Sequence, residues 1–280
     1  MARAINKKGK VMNIVVCMKQ VPASSDVKVD EKYGTLIRDG IDTKTNPYDL
    51  HALECALKIK EKLSSSKNQI KVTVLTMGPA KASEMVYDAY AMGADDAVIL
   101  SDAKFAGSDV LATSYTLSQG IKIIKDYDLI ICGKQTTDGD TAQIGPAIAE
   151  HLNIPHVAWV NEIADVDENS IKVRQDLGSL TQLSAMSYPC LITVDNSLNV
   201  PRLPSYKLKR ETAGSPIRIV PFDELPDKDL SRFGSIGSPT SVEKMFPPEV
   251  KGEKTVLTGS PKEKAESLTA ILKDKKIIEV

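Results

Sequence analysis

Residues 129–152, LIICGKQTTDGDTAQIGPAIAEHL, decide the fold. Leu129-Ile130-Ile131-Cys132 is a short unbroken apolar run, the pattern of a strand buried on both faces. Gly133 and a polar loop follow, and helical spacing takes over from Ile144 to about Leu152. The same alternation recurs upstream. Ile14-Val15-Val16-Cys17-Met18 reads as a first strand, and Val72, Val74 and Leu75 as a second. Ala97-Val98-Ile99-Leu100 reads as a third.

The helices between them carry their own start and stop signals. Asn46 can cap a helix, Pro47 suits its first position, and Asp49 sits in its electropositive first turn. Leu50, Leu53, Leu57 and Lys60 then follow at helical spacing. Pro79 opens a helix to about Met92, with Gly93 placed to end it. Ser108 is read as the cap of a helix over roughly 109–125. Repeated units of about 30 residues predict an α/β fold, a doubly wound parallel sheet with right-handed crossovers. Residues 27–40 (VKVD, EKYG, TLIRDG) read as a small hairpin turning near Tyr33-Gly34.

After Pro155 the texture changes. Ser170–Asp176 and Cys190–Asp195 read as strands, and from Asn199 prolines accumulate among glycine, serine and charge. Such a stretch cannot close a core of its own. It nevertheless holds apolar anchors at Ile217, Ile219, Phe222, Met245 and Phe246, which predicts an extended C-terminal arm lying across a partner. Residues 262–275 read as a last amphipathic helix. The expected organisation is a dispensable extension over 1–11, an α/β ligand-binding domain over 12–213, and a partner-wrapping arm over 214–280.

Composition narrows the function. Of 280 residues, 42% are hydrophobic and 26% charged, which excludes collagenous, coiled-coil and wholly disordered chains. Lysine and arginine number 36 against 37 acidic residues, so the basic excess of a nucleic-acid binder is missing. No apolar run approaches the ~20 residues that span a bilayer. Residues 1–11 are basic but lack an apolar core and a cleavage site, so no signal peptide is expected and the chain should stay in the cytoplasm. The four cysteines (Cys17, Cys55, Cys132, Cys190) show no metal-ligand spacing and read as buried thiols. His51, His151 and His156 share no spacing with one another or with a reactive serine, so neither metal chemistry nor a catalytic triad is expected.

Ligands of open parallel sheets bind at the carboxyl ends of strands, near the switch in strand order. Cys17-Met18-Lys19, Asn46-Pro47-Tyr48-Asp49, Thr76-Met77-Gly78-Pro79 and the loop from Gly133 all occupy such places. The loop, GKQTTDGDTAQIGP over 133–146, is the most informative. It sets small residues, hydroxyls and amides directly ahead of a helix N-terminus, where free backbone N–H groups and the helix dipole favour an anion such as pyrophosphate. Thr136, Thr137 and Thr141 can donate to phosphate, and an aspartate can take ribose hydroxyls. A tight turn at Asp138-Gly139-Asp140 is the plainer alternative. The oxygen spacing of a calcium loop, the Walker A pattern and GxGxxG are all absent. The residues therefore point to a nucleotide-type ligand.

At this loop the sequence resembles a known family. GKQTTDGDTAQIGPAIAEHLNIPHV is similar to the nucleotide-binding segment of the β-subunit of electron-transfer flavoproteins. MNIVVCMKQVP resembles that family's opening strand, TNPYDLHALECALKIKE its first helix, and VTVLTMGPAKASE its second strand and turn. YPCLITVDNSLNVPRLPS resembles the end of its core. The resemblance covers most of residues 12–205, and it implies the nucleotide-binding, adenine-nucleotide-hydrolase-like version of the α/β architecture.

The resemblance implies a heterodimer with a larger α-subunit that carries its own FAD, while the β-subunit holds a second nucleotide. In one branch that nucleotide is AMP, with a loop closer to A-I-D-D-D-x-x-Q-T-G. The present loop is more similar to the electron-bifurcating branch. There the β-site holds FAD that accepts hydride from NADH and sends electrons to ferredoxin or flavodoxin and, through the α-subunit flavin, to a dehydrogenase. That dehydrogenase could act on acyl-CoA thioesters or on a 2-hydroxy acid such as lactate.

By position, the resemblance implies a pocket lined by Cys17, Asn46, Pro47, Tyr48, Asp49 and Met77. The loop supplies Gly133, Lys134, Gln135, Thr136, Thr137, Asp138, Gly139, Asp140, Thr141, Ala142, Gln143 and Ile144. No acid, base or metal ligand is implied among them, because the flavin supplies the chemistry. Gly139 in place of aspartate removes bulk and negative charge beside a phosphate site. Two segments depart from the family, Asp176-Leu177-Gly178-Ser179-Leu180 and Tyr206-Lys207-Leu208-Lys209-Arg210. The second makes Tyr206 or Leu208 the expected docking anchor for a dehydrogenase, with a solvated basic loop as the alternative. A nucleotide-sensing protein of the universal-stress type shares the sheet architecture and stands as the other reading.

Overall fold

Val11–Cys17 (VMNIVVC) forms a strand, β1, because its apolar residues are needed on both faces: Ile14 and Val16 pack on one side of the sheet and Val15 and Cys17 on the other. The computed structural model describes residues 11–23, 42–64, 69–242 and 254–279. The hairpin expected over 27–40 lies outside them. What flanks it is a two-stranded antiparallel ribbon of β2 (Gln20–Pro22) and β3 (Thr43–Thr45).

The predicted alternation is present. After β3 come α1 (Pro47–Leu63), β4 (Gln69–Met77), α2 (Ser83–Met92), β5 (Asp96–Leu100), α3 (Val110–Ile124), β6 (Leu129–Gly133) and α4 (Ile144–Leu152). Gly93 ends α2 at φ 123, a conformation that favours glycine. The cap of α3 differs by one residue from expectation. Asp109, not Ser108, accepts the Ala112 N–H, and its other oxygen binds Thr240. Ser108 turns back to donate to Phe105 O. A carboxylate with two sets of donors outcompetes the neighbouring hydroxyl.

The chain continues through β7 (His156–Val166), β8 (Ser170–Asp176), β9 (Thr181–Ser187), β10 (Cys190–Val194), the short helix α5 (Tyr206–Glu211) and β11 (Arg218–Val220). Among the described residues the main sheet has nine strands in the order β11-β5-β4-β1-β6-β10-β7-β8-β9. Strands β11 through β7 are mutually parallel, and β8 and β9 extend the sheet antiparallel. Helices α1 and α2 cover one face and α3 and α4 the other. The order reverses at β1, which has β4 on one side and β6 on the other. The ligand crevice of such a sheet opens at the carboxyl ends of β1 and β6.

Residues 217–240 of the C-terminal stretch pack on the chain's own domain. Strand β11 pairs with the edge strand β5, and Phe222, Leu225 and Phe233 are buried beside Phe105 and Tyr115. Phe222 and Phe233 meet edge to face, their ring centres 5.1 Å apart. Of the expected anchors Phe222 completes this core, Ile217 packs on the opposite face of the sheet and Ile219 is 50% exposed. Met245 and Phe246 lie outside the described residues. Residues 244–280 form a second compact unit, in which α6 (Pro261–Asp274) begins with a capping box between Ser260 and Glu263. No described helix is long and apolar enough to cross a membrane.

Candidate functional site

The loop after β6 sits over the switch point. Its first residue, Gly133, touches the start of α1 so closely that a Cβ would overlap Asp49 Oδ1 and lie 2.8 Å from the Tyr48 backbone. Lys134 N–H continues the sheet by donating to Val194 O at 2.9 Å. The segment 136–140 then closes a turn in which Asp140 N–H donates to Thr136 O at 2.9 Å. The turn expected here is real, but Gly139 does not create it. The left-handed residues are Asp140 (φ 53) and Ala142 (φ 54), and a Cβ on Gly139 would meet nothing nearer than Thr136 Oγ1 at 3.6 Å.

Two residues at the start of α1 hold this loop from beneath. Asn46 is fully buried; its Nδ2 donates to Gln135 O at 2.9 Å and its Oδ1 accepts the Thr137 N–H at 3.2 Å. It therefore stands at the helix start as expected but caps nothing with its side chain, which is spent across the crevice. Asp49, 4% exposed, accepts the Lys19 N–H at 2.7 Å. Burial lifts its carboxyl to about 7, although Asn46 and the backbones of Lys19 and Gly133 pull the other way. Asn46 and Asp49 thus brace the loop from beneath.

Lys19 reaches over the rim, its Nζ 2.6 Å from Asp138 Oδ2. Burial raises the Asp138 carboxyl, but the bonds from Lys19 and Thr136 outweigh it and hold the group below the usual carboxylate range. Gln135 Nε2 donates to Asp140 Oδ1. Beyond the turn, Thr141 and Gln143 are exposed, Ala142 and Ile144 half-buried, and Gln143 starts α4 with no side-chain cap. The first-turn amides of α4 are therefore offered to a ligand or to water. Gly145 lets the helix settle onto β10, where a Cβ would overlap the Thr193 methyl.

The other expected lining residues scatter. Pro47, Tyr48 and Met77 are half-buried at the crevice edge. Cys17 is 7% exposed and lies level with Cys132 on the neighbouring strand. The Cys17 thiol and burial together push the Cys132 thiol well up. All four cysteines are buried and free. Tyr206 and Leu208 lie on the helix α5, where a loop was the alternative; Tyr206 is 77% exposed and Leu208 half-buried.

Sequence reading missed Thr193, Trp159 and Asp195, and it placed Lys19 at the end of the first strand without giving it a partner. Lys134 Nζ lies 2.9 Å from Asp195 Oδ2 and 5.2 Å from the centre of the Trp159 ring. The only sequence signal for Lys19 and Asp195 was their place just past the ends of β1 and β10.

An uncapped helix start at the switch point of a doubly wound sheet is common to several families. Comparison with known proteins separates them. The electron transfer flavoprotein domain matches residues 33–225 of the chain. An electron transfer flavoprotein subunit beta from Clostridium acetobutylicum is 42% identical over 267 residues, covering 95% of this chain and 100% of that protein. The chain belongs to the electron transfer flavoprotein β-subunit family. Also similar are the caffeyl-CoA reductase-Etf complex subunit CarD of Acetobacterium woodii (42% over 268 residues, 95% of this chain and 100% of that one) and the protein FixA of Azotobacter vinelandii (40% over 270 residues, 93% and 94%). As a member of this flavoprotein family it is a redox subunit, and the universal-stress reading is set aside.

Proposed function

We propose that this β-subunit binds FAD with its diphosphate on the loop 133–144, and that it works in an electron-bifurcating complex with an α-subunit. When bound, FAD supplies acceptance of hydride from NADH and passage of electrons to ferredoxin or flavodoxin and, through the α-subunit flavin, to a dehydrogenase. The chain's residues bind and orient. Backbone amides at Ile144 and Gly145 meet the diphosphate, with Thr136, Thr137 and Thr141 as hydroxyl donors and Asn46 fixing the loop's shape.

The observation that carries this reading is the uncapped start of α4 facing a loop that is braced from below by Asn46 and Asp49. The uncharged Gly139 at the loop's outer turn favours a diphosphate over a more acidic loop. The relative from Acetobacterium is named for a caffeyl-CoA reductase complex, which supports a partner acting on acyl-CoA thioesters. A 2-hydroxy-acid dehydrogenase is the other candidate partner. Tyr206, exposed on α5, is the docking residue we assign; Leu208 turns partly toward its own domain. Residues 244–280 are assigned to wrapping the α-subunit.

Nucleotide extraction from the co-purified heterodimer tests the proposal. Two FAD per heterodimer are expected. One FAD with one AMP would make this an AMP-holding subunit of a simple electron carrier and would overturn the bifurcating reading.

A further inference from the structure

Tyr115 of α3 is the point on which the C-terminal segment closes. Its hydroxyl donates to Asp227 Oδ2, and the Arg232 guanidinium lies 3.6 Å from the centre of its ring. Phe233 meets the same ring edge to face, the centres 5.3 Å apart. Arg232 and Asp227 also pair with each other, Nη1 to Oδ2 at 3.4 Å. Residues 227–233 therefore form a latch held at one aromatic side chain.

A further neighbour of that ring is His151, in the last turn of α4 and far along the helix from the ligand loop. Its imidazole meets Tyr115 edge to face, the centres 5.2 Å apart. His151 Nε2 is buried and has no hydrogen-bond partner. A neutral nitrogen is tolerated there far more cheaply than an imidazolium N–H, which brings a charge and finds no acceptor.

The charges that act on the imidazole are Arg232 of the latch, Lys122 of α3 and Glu150 beside it on α4, two of them positive. The strands beneath α4 present Ile130, Cys132 and Leu191 on this face, and β7 begins with the exposed His156. Burial, then Arg232 and Lys122, hold the His151 pKa below its ordinary 6.5. Glu150 and the carboxyl end of the helix pull the other way without prevailing.

We infer that His151 is a proton-operated release for this latch: an imidazolium at the edge of Tyr115 repels the Arg232 guanidinium over its face, and residues 227–233 come away from α3 and α4. The inference does not depend on which nucleotide the chain binds. Once the latch is open, His151 regains its ordinary affinity for a proton. The latch is therefore closed above about pH 6.5 and loosens as pH falls below it.

Three carboxylates also hold the segment. Asp102 accepts the Phe222 N–H, Asp109 the Thr240 N–H, and Asp227 the Tyr115 hydroxyl. All three lie below their ordinary 3.8: Asp102 through the Lys104 N–H, Asp109 against burial through Thr240, and Asp227 through Tyr115. They stay ionised above about pH 5 and leave the interval above it to His151.

Hydrogen exchange of the full chain at about pH 7.5 and about pH 5.5, read by mass spectrometry and corrected for intrinsic rates, tests the release. Protection of the peptide spanning residues 225–235 is expected to fall about threefold or more between the two, while β1 and β4 keep theirs within about twofold. His151→Phe keeps an aromatic edge on Tyr115, takes no proton and removes the unmet nitrogen, so its latch should hold equally at both. Arg232→Met should lower protection at both values and shrink the drop between them. Equal protection at both values in the unsubstituted chain overturns the inference, as does an equal drop in His151→Phe. An undiminished drop in Arg232→Met overturns it as well, because repulsion would then have no part in the opening.

Discussion

Gly145, the second residue of α4, lies so close to Thr193 of β10 that a methyl group on the glycine would overlap the threonine methyl. Thr193 is 1% exposed, so neither side can give way into solvent. This contact seats the positive end of α4 on the carboxyl edge of the sheet. Gly145→Ala is therefore expected to push the helix start away and to destabilise the protein by about 1–3 kcal/mol. Thr193→Ser deletes the methyl and keeps the hydroxyl that accepts the Trp159 N–H. Urea unfolding should show the double variant recovering most of the loss. No recovery would mean that the overlap is not what makes glycine necessary.

Asp49 gives the loop a pH dependence. Its ordinary value is 3.8, and burial, the largest influence, lifts it to about 7 in the folded protein. The folded state therefore holds a proton that the unfolded state releases earlier. The contribution of this group to stability is full below about pH 4 and is lost as pH rises through about 7, to a ceiling of about 4 kcal/mol. Asp49→Asn cannot ionise. The difference in unfolding free energy, native minus variant, should fall between pH 5 and pH 8, measured by urea denaturation in steps of about one pH unit. A flat difference would show that Asp49 remains a carboxylate throughout.

The parts legible in sequence are those whose pattern is local. β6, its loop and α4 were placed to within a residue because an unbroken apolar run passes through polar residues into helical spacing. β9 left no such trace: six of its seven residues are at least partly exposed and only Met186 is buried, so no period marks it. The own-domain packing of 217–240 was hidden for a related reason. Phe222 and Phe233 are buried by Phe105 and Tyr115, more than a hundred residues away, and proline-rich spacing conceals this. Asn46 was placed correctly and given the wrong task. Cap preference describes its own helix, while its bonds run to residues about ninety positions on. Trp159 was invisible because it lies in a bulge of β7 against β10, and a bulge is set by the register of two strands.

The loop's outer turn offers a test of charge alone. Gly139 has room for a side chain and a backbone conformation open to any residue. Gly139→Asp should therefore leave the unfolding midpoint unchanged and weaken the nucleotide through repulsion with phosphate. At an exposed site this is worth about 1 kcal/mol, close to a fivefold loss in affinity. The loss should shrink in 0.5 M salt, because the interaction is screened. A salt-independent loss would point to altered loop shape.

Two truncations separate the fold from assembly. Ending the chain at Gly214 strips away β11, Phe222, Leu225 and Phe233, and with them the contacts made on Tyr115 by Asp227 and by Arg232, whose guanidinium lies 3.6 Å from the ring centre. Loss of a buried phenylalanine alone costs about 3–5 kcal/mol, so this shortened protein should unfold well below the full chain or fail to fold. Ending it at Glu243 keeps every one of these groups. That protein should melt close to the full chain in a circular dichroism scan and lose affinity for the α-subunit in size-exclusion titration. If the shorter truncate melts like the full chain, Phe222, Leu225 and Phe233 do not close the core. If the longer one assembles as tightly as the full chain, residues 244–280 do not wrap the partner.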